Sequence, residues 1–107
     1  MNKIDIKPLS VNEAWKGRRY KTDKYDKYIH DLLFLLPPIK LPLPPYALYL
    51  VVGYSNSAAD IDNCLKPFVD CLQKKYGFND KLIYSLFIQK EIVKKGKEFI
   101  SFSIKSL

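Results

Sequence analysis

Histidine and cysteine are nearly missing from this chain: one histidine, His30, and two cysteines, Cys64 and Cys71, stand among its 107 residues. Three such side chains cannot complete a four-ligand zinc site. Cys64 and Cys71 are seven positions apart, which on a helix puts them on one face but ~10 Å apart along the axis, too far for a disulfide. They read as reduced, partly buried thiols. His30 lies in the aromatic and apolar stretch Tyr25-Asp26-Lys27-Tyr28-Ile29-His30-Asp31-Leu32-Leu33 and reads as a helix-face residue. Ser-His-Asp chemistry and histidine-centred nuclease chemistry would both rest on it alone, which argues against each. Long apolar runs are missing too. Residues 32–36 stop at Pro37-Pro38, and no run approaches the roughly 18 residues that cross a bilayer. The opening Met1-Asn2-Lys3-Ile4-Asp5 lacks the apolar core of a signal peptide. At 48% hydrophobic and 27% charged, the composition is that of an ordinary globular domain, not of a disordered, collagen-like or disulfide-stapled one. The expectation is one soluble cytoplasmic domain over residues 1–107.

What the chain has in excess is positive charge, 18 Lys and Arg against 11 Asp and Glu for a net +7. The distribution says more than the total. Residues 1–30 carry a net +4 and residues 81–107 another +4, whereas residues 31–62 carry Lys40 alone against Asp31, Asp60 and Asp62. A basic domain suits a polyanion such as nucleic acid. Carboxylates within a surface built for phosphate repel that ligand unless a cation stands between them.

Residues 3–7 alternate apolar and polar and end at Pro8, as a short strand does. An irregular stretch, residues 9–21, follows. Thr22 is an N-cap candidate, with Asp23 and Asp26 in the first turn. Tyr25, Tyr28, Ile29, Leu32, Leu33 and Leu36 then recur at helical spacing up to Pro37-Pro38. Residues 37–45 hold five of the seven prolines and predict a stiff extended connector; a docking motif for SH3-like partners is the alternative. Residues 46–54 are β-rich and apolar on both faces, as a central strand is. Residues 62–76 predict a second helix, striped by Leu65, Phe68, Val69, Leu72 and Tyr76, with Pro67 in its first turn and Gly77 past its end. Residues 82–92 and 98–104 read as two strands joined by a basic hairpin turn, Val93-Lys94-Lys95-Gly96-Lys97. The expected fold is α+β and two-layered, in the order β-α-β-α-β-β, with a small mixed sheet packed against helices.

The sharpest local feature is Asp60-Ile61-Asp62-Asn63-Cys64-Leu65-Lys66-Pro67-Phe68-Val69-Asp70. If residues 60–62 are extended, Asp60 and Asp62 share a face and Ile61 points into the core. Paired carboxylates raise the cost of each other's ionised form, which a divalent cation relieves. With no soft ligands nearby, Mg²⁺ is the natural ion and Mn²⁺ a substitute. Asp80, just before a strand, can return to the same edge if the helix packs back across the sheet. Lys66, four residues after Asp62, can contact a scissile phosphate or offset charge that builds in phosphoryl transfer. The alternative is a helix-capping loop beside a solvated lysine.

The run Asp60-x-Asp62-Asn63-x-x-Lys66-x-x-x-Asp70-x-Leu72, then Gly77-Phe78 and Asp80, resembles the signature of the RusA-type Holliday junction resolvases, small phage and prophage endodeoxyribonucleases. Pro8-Leu9-Ser10-Val11-Asn12, Trp15, Arg19-Tyr20-Lys21-Thr22 and Tyr25 are similar to that family's opening segment. The likeness covers residues 8–97. It implies a Mg²⁺-dependent homodimer that nicks four-way DNA junctions in pairs during recombination and repair. It also implies Asp60, Asp62 and Asp80 as metal-binding catalytic carboxylates and Lys66 as the catalytic lysine, with Asn63 and Asp70 behind them. The chain departs from the family in having Asn79-Asp80 for an acidic pair and Ser57-Ala58-Ala59 where some members carry arginines. Lys16, Arg18, Arg19, Lys21, Lys24, Lys94, Lys95 and Lys97 are the expected phosphate contacts. Trp15 and Tyr20 either stack on open bases or belong to the core. Residues 46–54 and the leucine-rich end of the first helix are the expected dimer surface. Neither a membrane nor a small-molecule substrate is expected. A non-catalytic DNA-binding or architectural module and a metal-dependent RNA nuclease are the rival readings.

Overall fold

The computed structural model describes residues 1–16 and 20–107, and at 15, 16, 20 and 21 it describes backbone alone. The element order is β1 (Asn2–Ile4), α1 (Val11–Ala14), β2 (Trp15–Lys16), β3 (Tyr20–Lys21), α2 (Asp23–Leu35), β4 (Tyr46–Tyr54), α3 (Leu65–Tyr76), β5 (Ile83–Ile92) and β6 (Phe99–Ser106). The fold is α+β. A four-stranded mixed sheet runs β1-β6-β4-β5, and β2 and β3 form a separate two-stranded ribbon. The ribbon and the one-turn α1 lie in the stretch expected to be irregular, where elements of two to four residues are too short to show a period.

β4 is central because it is apolar on both faces. β6 pairs with one edge of it antiparallel and β5 with the other edge parallel. Its face with Leu48, Leu50, Val52 and Tyr54 carries the main core, completed by Tyr25, Tyr28, Ile29 and Leu32 of α2 and by Phe68, Cys71 and Leu72 of α3. Phe68 meets Phe102 of β6 edge-on at 5.7 Å. The fully buried large side chains among them, such as Leu32, Leu48, Leu72 and Phe68, contribute roughly 1.5–3 kcal/mol each. Pro67 does fall in the opening turn of α3, and Gly77 ends that helix in the left-handed region at φ 71°. Cys64 and Cys71 are fully buried free thiols, deeper than expected. Burial pushes the Cys71 thiol up to about 11.

Three expectations are corrected. β1 is shorter than expected, Asn2–Ile4 instead of residues 3–7. β5 and β6 are not a hairpin, because β4 lies between them; the basic turn arches over the end of β4, where Val93 N–H donates to Tyr54 C=O at 2.8 Å. Neither edge of β4 is free to make a dimer. The proline-rich connector, in turn, is tied down at both ends. Tyr76 Oη donates to Pro37 C=O at 2.6 Å and Ser106 Oγ to Leu43 C=O at 2.6 Å. Among the described residues no helix is long and apolar enough to cross a membrane.

Candidate active site

The acidic residues sit in the loop between β4 and α3. Asn56 opens that loop, its side-chain carbonyl accepting Ala58 N–H at 2.9 Å and its backbone C=O accepting Ala59 N–H at 3.2 Å. Two turns follow in succession: Asn63 N–H donates to Asp60 C=O at 3.2 Å and Leu65 N–H to Asp62 C=O at 3.0 Å. The extended geometry expected over 60–62 is therefore replaced by turns. With no strand alongside to pair with, the backbone satisfies its polar groups locally. Ile61, expected in the core, is 41% exposed. Asp60 and Asp62 are both exposed.

α3 starts at Leu65, three residues later than the expected helix, and its N-cap residue Cys64 makes no side-chain cap. Asp60 and Asp62 stand immediately upstream, yet among the described residues their carboxylates accept no hydrogen bond and form no ion pair. The capping role that Asp-x-Asp-Asn could have played is not taken up.

Past α3, Asp80 is tied back to the helix. Its N–H donates to Gln73 Oε1 at 2.9 Å, while Asn79 Oδ1 accepts Lys81 N–H at 3.0 Å and caps the 3₁₀ turn Asp80–Leu82. Asn79 thus has a local structural task. A groove of about 420 Å³ opens between α3 and β5, lined by Lys66, Asp70 and Asp80 together with Leu65, Val69 and Leu86. Lys66 Nζ is 3.8 Å from Asp70 Oδ2, and the lysine side chain is 59% exposed. The fold therefore brings Lys66, Asp70 and Asp80 together across α3, while Asp60, Asp62 and Asn63 stand on the loop at the head of the same helix. Asn63 lines a separate polar pocket of about 370 Å³ with Ser10, Glu13 and Glu98.

Among the expected phosphate contacts, Lys94, Lys95 and Lys97 are exposed on the arch beside this loop. Glu98 bridges the two, accepting Ser55 Oγ–H at 2.8 Å and Gly96 N–H at 2.8 Å. Its own backbone N–H, with the Ser55 hydroxyl and the Gly96 amide, holds its carboxyl below the usual range. Lys24 Nζ sits 3.4 Å from Glu13 Oε2. Arg18 and Arg19, and the side chains of Trp15, Lys16, Tyr20 and Lys21, lie outside the described residues. Lys90, which sequence reasoning passed over, reaches into the loop from β5. Its Nζ donates to Ser57 C=O at 3.0 Å and to Ala59 C=O at 2.7 Å.

The donors at the head and flank of α3 are carboxylate oxygens, the kind a hard divalent cation takes. Among the described residues, no three of His, Cys, Asp and Glu are gathered as a ready metal-holding group. No protein-family model matches the chain, and no curated protein matches it.

Proposed function

We propose that this chain is a cytoplasmic divalent-metal-dependent endodeoxyribonuclease of the RusA type that nicks four-way DNA junctions. One observation carries the reading: Asp60 and Asp62 stand exposed and unengaged just ahead of α3, in a protein of net positive charge. Carboxylates kept out of structural work inside a phosphate-binding surface have a use as cation ligands. Asp60, Asp62 and Asp80 would hold Mg²⁺, or Mn²⁺ in its place. When bound, the ion supplies an activated water and stabilises charge on the phosphoryl oxygens. Lys66 holds positive charge at the scissile phosphate, and Asp70 orients it from 3.8 Å. The exposed arch with Lys94, Lys95 and Lys97 grips the backbone beside the cut.

Two symmetric nicks need two sites, which a two-fold dimer supplies. The open edge of β5 supports that dimer. It is ten residues long, only β4 pairs with it among the described strands, and Tyr84, Leu86, Phe87 and Ile92 are 69%, 44%, 55% and 54% exposed on it. Such an edge invites a second strand. Sedimentation equilibrium at micromolar concentration is expected to give twice the chain mass, and a monomer that stays monomeric on junction DNA removes the paired-nick mechanism.

The direct test incubates the protein with a mobile four-way junction, the matched duplex and single-stranded RNA, each with and without Mg²⁺. Cleavage of the junction alone, and only with metal, is expected. Junction binding without cleavage favours an architectural module, and cleavage of the RNA favours a ribonuclease.

A further inference from the structure

The acidic segment is short and anchored on both sides. After it, Asn63 C=O accepts Val11 N–H from α1 at 2.8 Å. Before it, Ala59 C=O accepts Lys90 Nζ–H at 2.7 Å, and the same ammonium takes Ser57 C=O at 3.0 Å. Only Asp60, Ile61 and Asp62 span the interval. Lys90 itself is placed by the sheet: it stands opposite Val52, a residue with no exposed surface, in the parallel β4–β5 ladder. It is half-buried, and its charge is spent on backbone carbonyls instead of being offered to a ligand. A lysine head group with three donors suits two carbonyls converging from one loop.

We propose that Lys90 is a positioning residue, pinning the carbonyls of Ser57 and Ala59 so that the rigid sheet decides where Asp60 stands. The role rests on the nuclease reading for its consequence, but the anchoring does not. Hydrogen bonds from a charged donor are roughly twice as strong as neutral ones. Without this anchor the loop keeps only the Asn56 turn and the Ser55–Glu98 contact at its near end, and the spacing between Asp60 and the Asp80 groove becomes variable.

The test compares wild type, Lys90→Met and Lys90→Arg. Amide hydrogen exchange over residues 57–63 is expected to speed up about tenfold or more in Lys90→Met, as for loss of one hydrogen bond to a charged group, while exchange in α2 and β4 is unchanged. On junction DNA, affinity is expected to stay within about twofold, since no phosphate contact is lost. The Mg²⁺ concentration for half-maximal single-turnover cleavage should rise severalfold, and Lys90→Arg should recover part of both effects. A wild-type measurement guards against a variant that does not fold: reductive methylation should modify Lys94 and Lys95 well before Lys90. Early methylation of Lys90, or unchanged loop exchange in a folded Lys90→Met, overturns the anchor. Faster exchange with unaltered Mg²⁺ dependence overturns the positioning role. Absence of cleavage by the wild type overturns the nuclease reading and leaves the exchange result to decide the anchor.

Discussion

α2 and α3 pack on the same face of the sheet and against each other, yet their N-termini are built in opposite ways. α2 begins on Thr22, whose hydroxyl accepts Tyr25 N–H at 3.2 Å and donates to Glu13 C=O at 2.6 Å, with Asp23 and Asp26 in the first turn. α3 begins on Cys64 with neither a side-chain cap nor an acid in its first turn, although two aspartates and an asparagine directly precede it. The same residue types serve the helix at one site and are withheld from it at the other. At α3 the N-cap position falls on Cys64, two residues past Asp62, so the exposed carboxylates of Asp60 and Asp62 take no part in holding the helix start.

Exchanging the two starts breaks or sharpens this contrast. The largest effect is expected from Asp60→Asn and Asp62→Asn: cleavage falls at least about 10²-fold through loss of metal-borne charge stabilisation, while melting stays within about 0.5 kcal/mol of wild type because the side chains are exposed and unengaged. A variant that cuts at wild-type rate in Mg²⁺ removes that residue from the site. Lys66→Ala comes next. Single-turnover cleavage at saturating protein should drop roughly 10²- to 10³-fold with junction affinity nearly unchanged, as for one preorganised electrostatic donor; a pure phosphate grip would instead weaken binding and flatten its salt slope by about 0.9. Thr22→Ala should do the reverse of the aspartate variants. It costs about 1 kcal/mol of stability, some 4–8 °C in melting temperature for a domain of this size, and leaves the cleavage rate alone.

The smallest effect is a titration seen only above pH 10, at buried tyrosines of the core. Burial, then the nearby Asp70, pushes the Tyr25 hydroxyl up to about 12, and burial takes Tyr76 to about 12 and Tyr28 and Tyr54 upward as well. These groups bind their protons more tightly folded than unfolded. Their contribution is complete below pH 10 and is lost as pH rises from 10 toward 12. Tyrosinate absorbance and circular dichroism should therefore change together in that window, and early ionisation of all eight tyrosines in a still-folded protein would contradict the burial.

What could be read from the chain was local. Thr22 and Pro37-Pro38 bracket α2, and the apolar run over 46–54 matches β4 to the residue. Gly77 and Pro67 mark the two ends of α3 because each answers a backbone need confined to one turn. Pairing was hidden, since β5 and β6 are neighbours along the chain but are separated in the sheet by a strand that comes before both. A helix folding back on the sheet was expected to return Asp80 to the edge of Asp60 and Asp62; Asp80 instead lines the groove of Lys66 and Asp70, and the turns at Asp60 and Asp62 depend on what does not lie beside them. Lys90 was invisible for a related reason: its partners are main-chain carbonyls some thirty residues away, and any sequence supplies those.

The place of β6 bears on how the chain is made. Phe102 stands opposite Asn2 on one side and Leu50 on the other, so the first strand and the middle one meet only through the last. As synthesis proceeds from the N-terminus, β4, α3 and β5 can assemble while β1 and the vacant edge of β4 wait for residues 99–106 to emerge. Contacts of such long sequence separation close slowly, and unpaired strand edges are open meanwhile to wrong partners. A chain truncated just before Phe99 would therefore leave β1 and one edge of β4 without their partner strand.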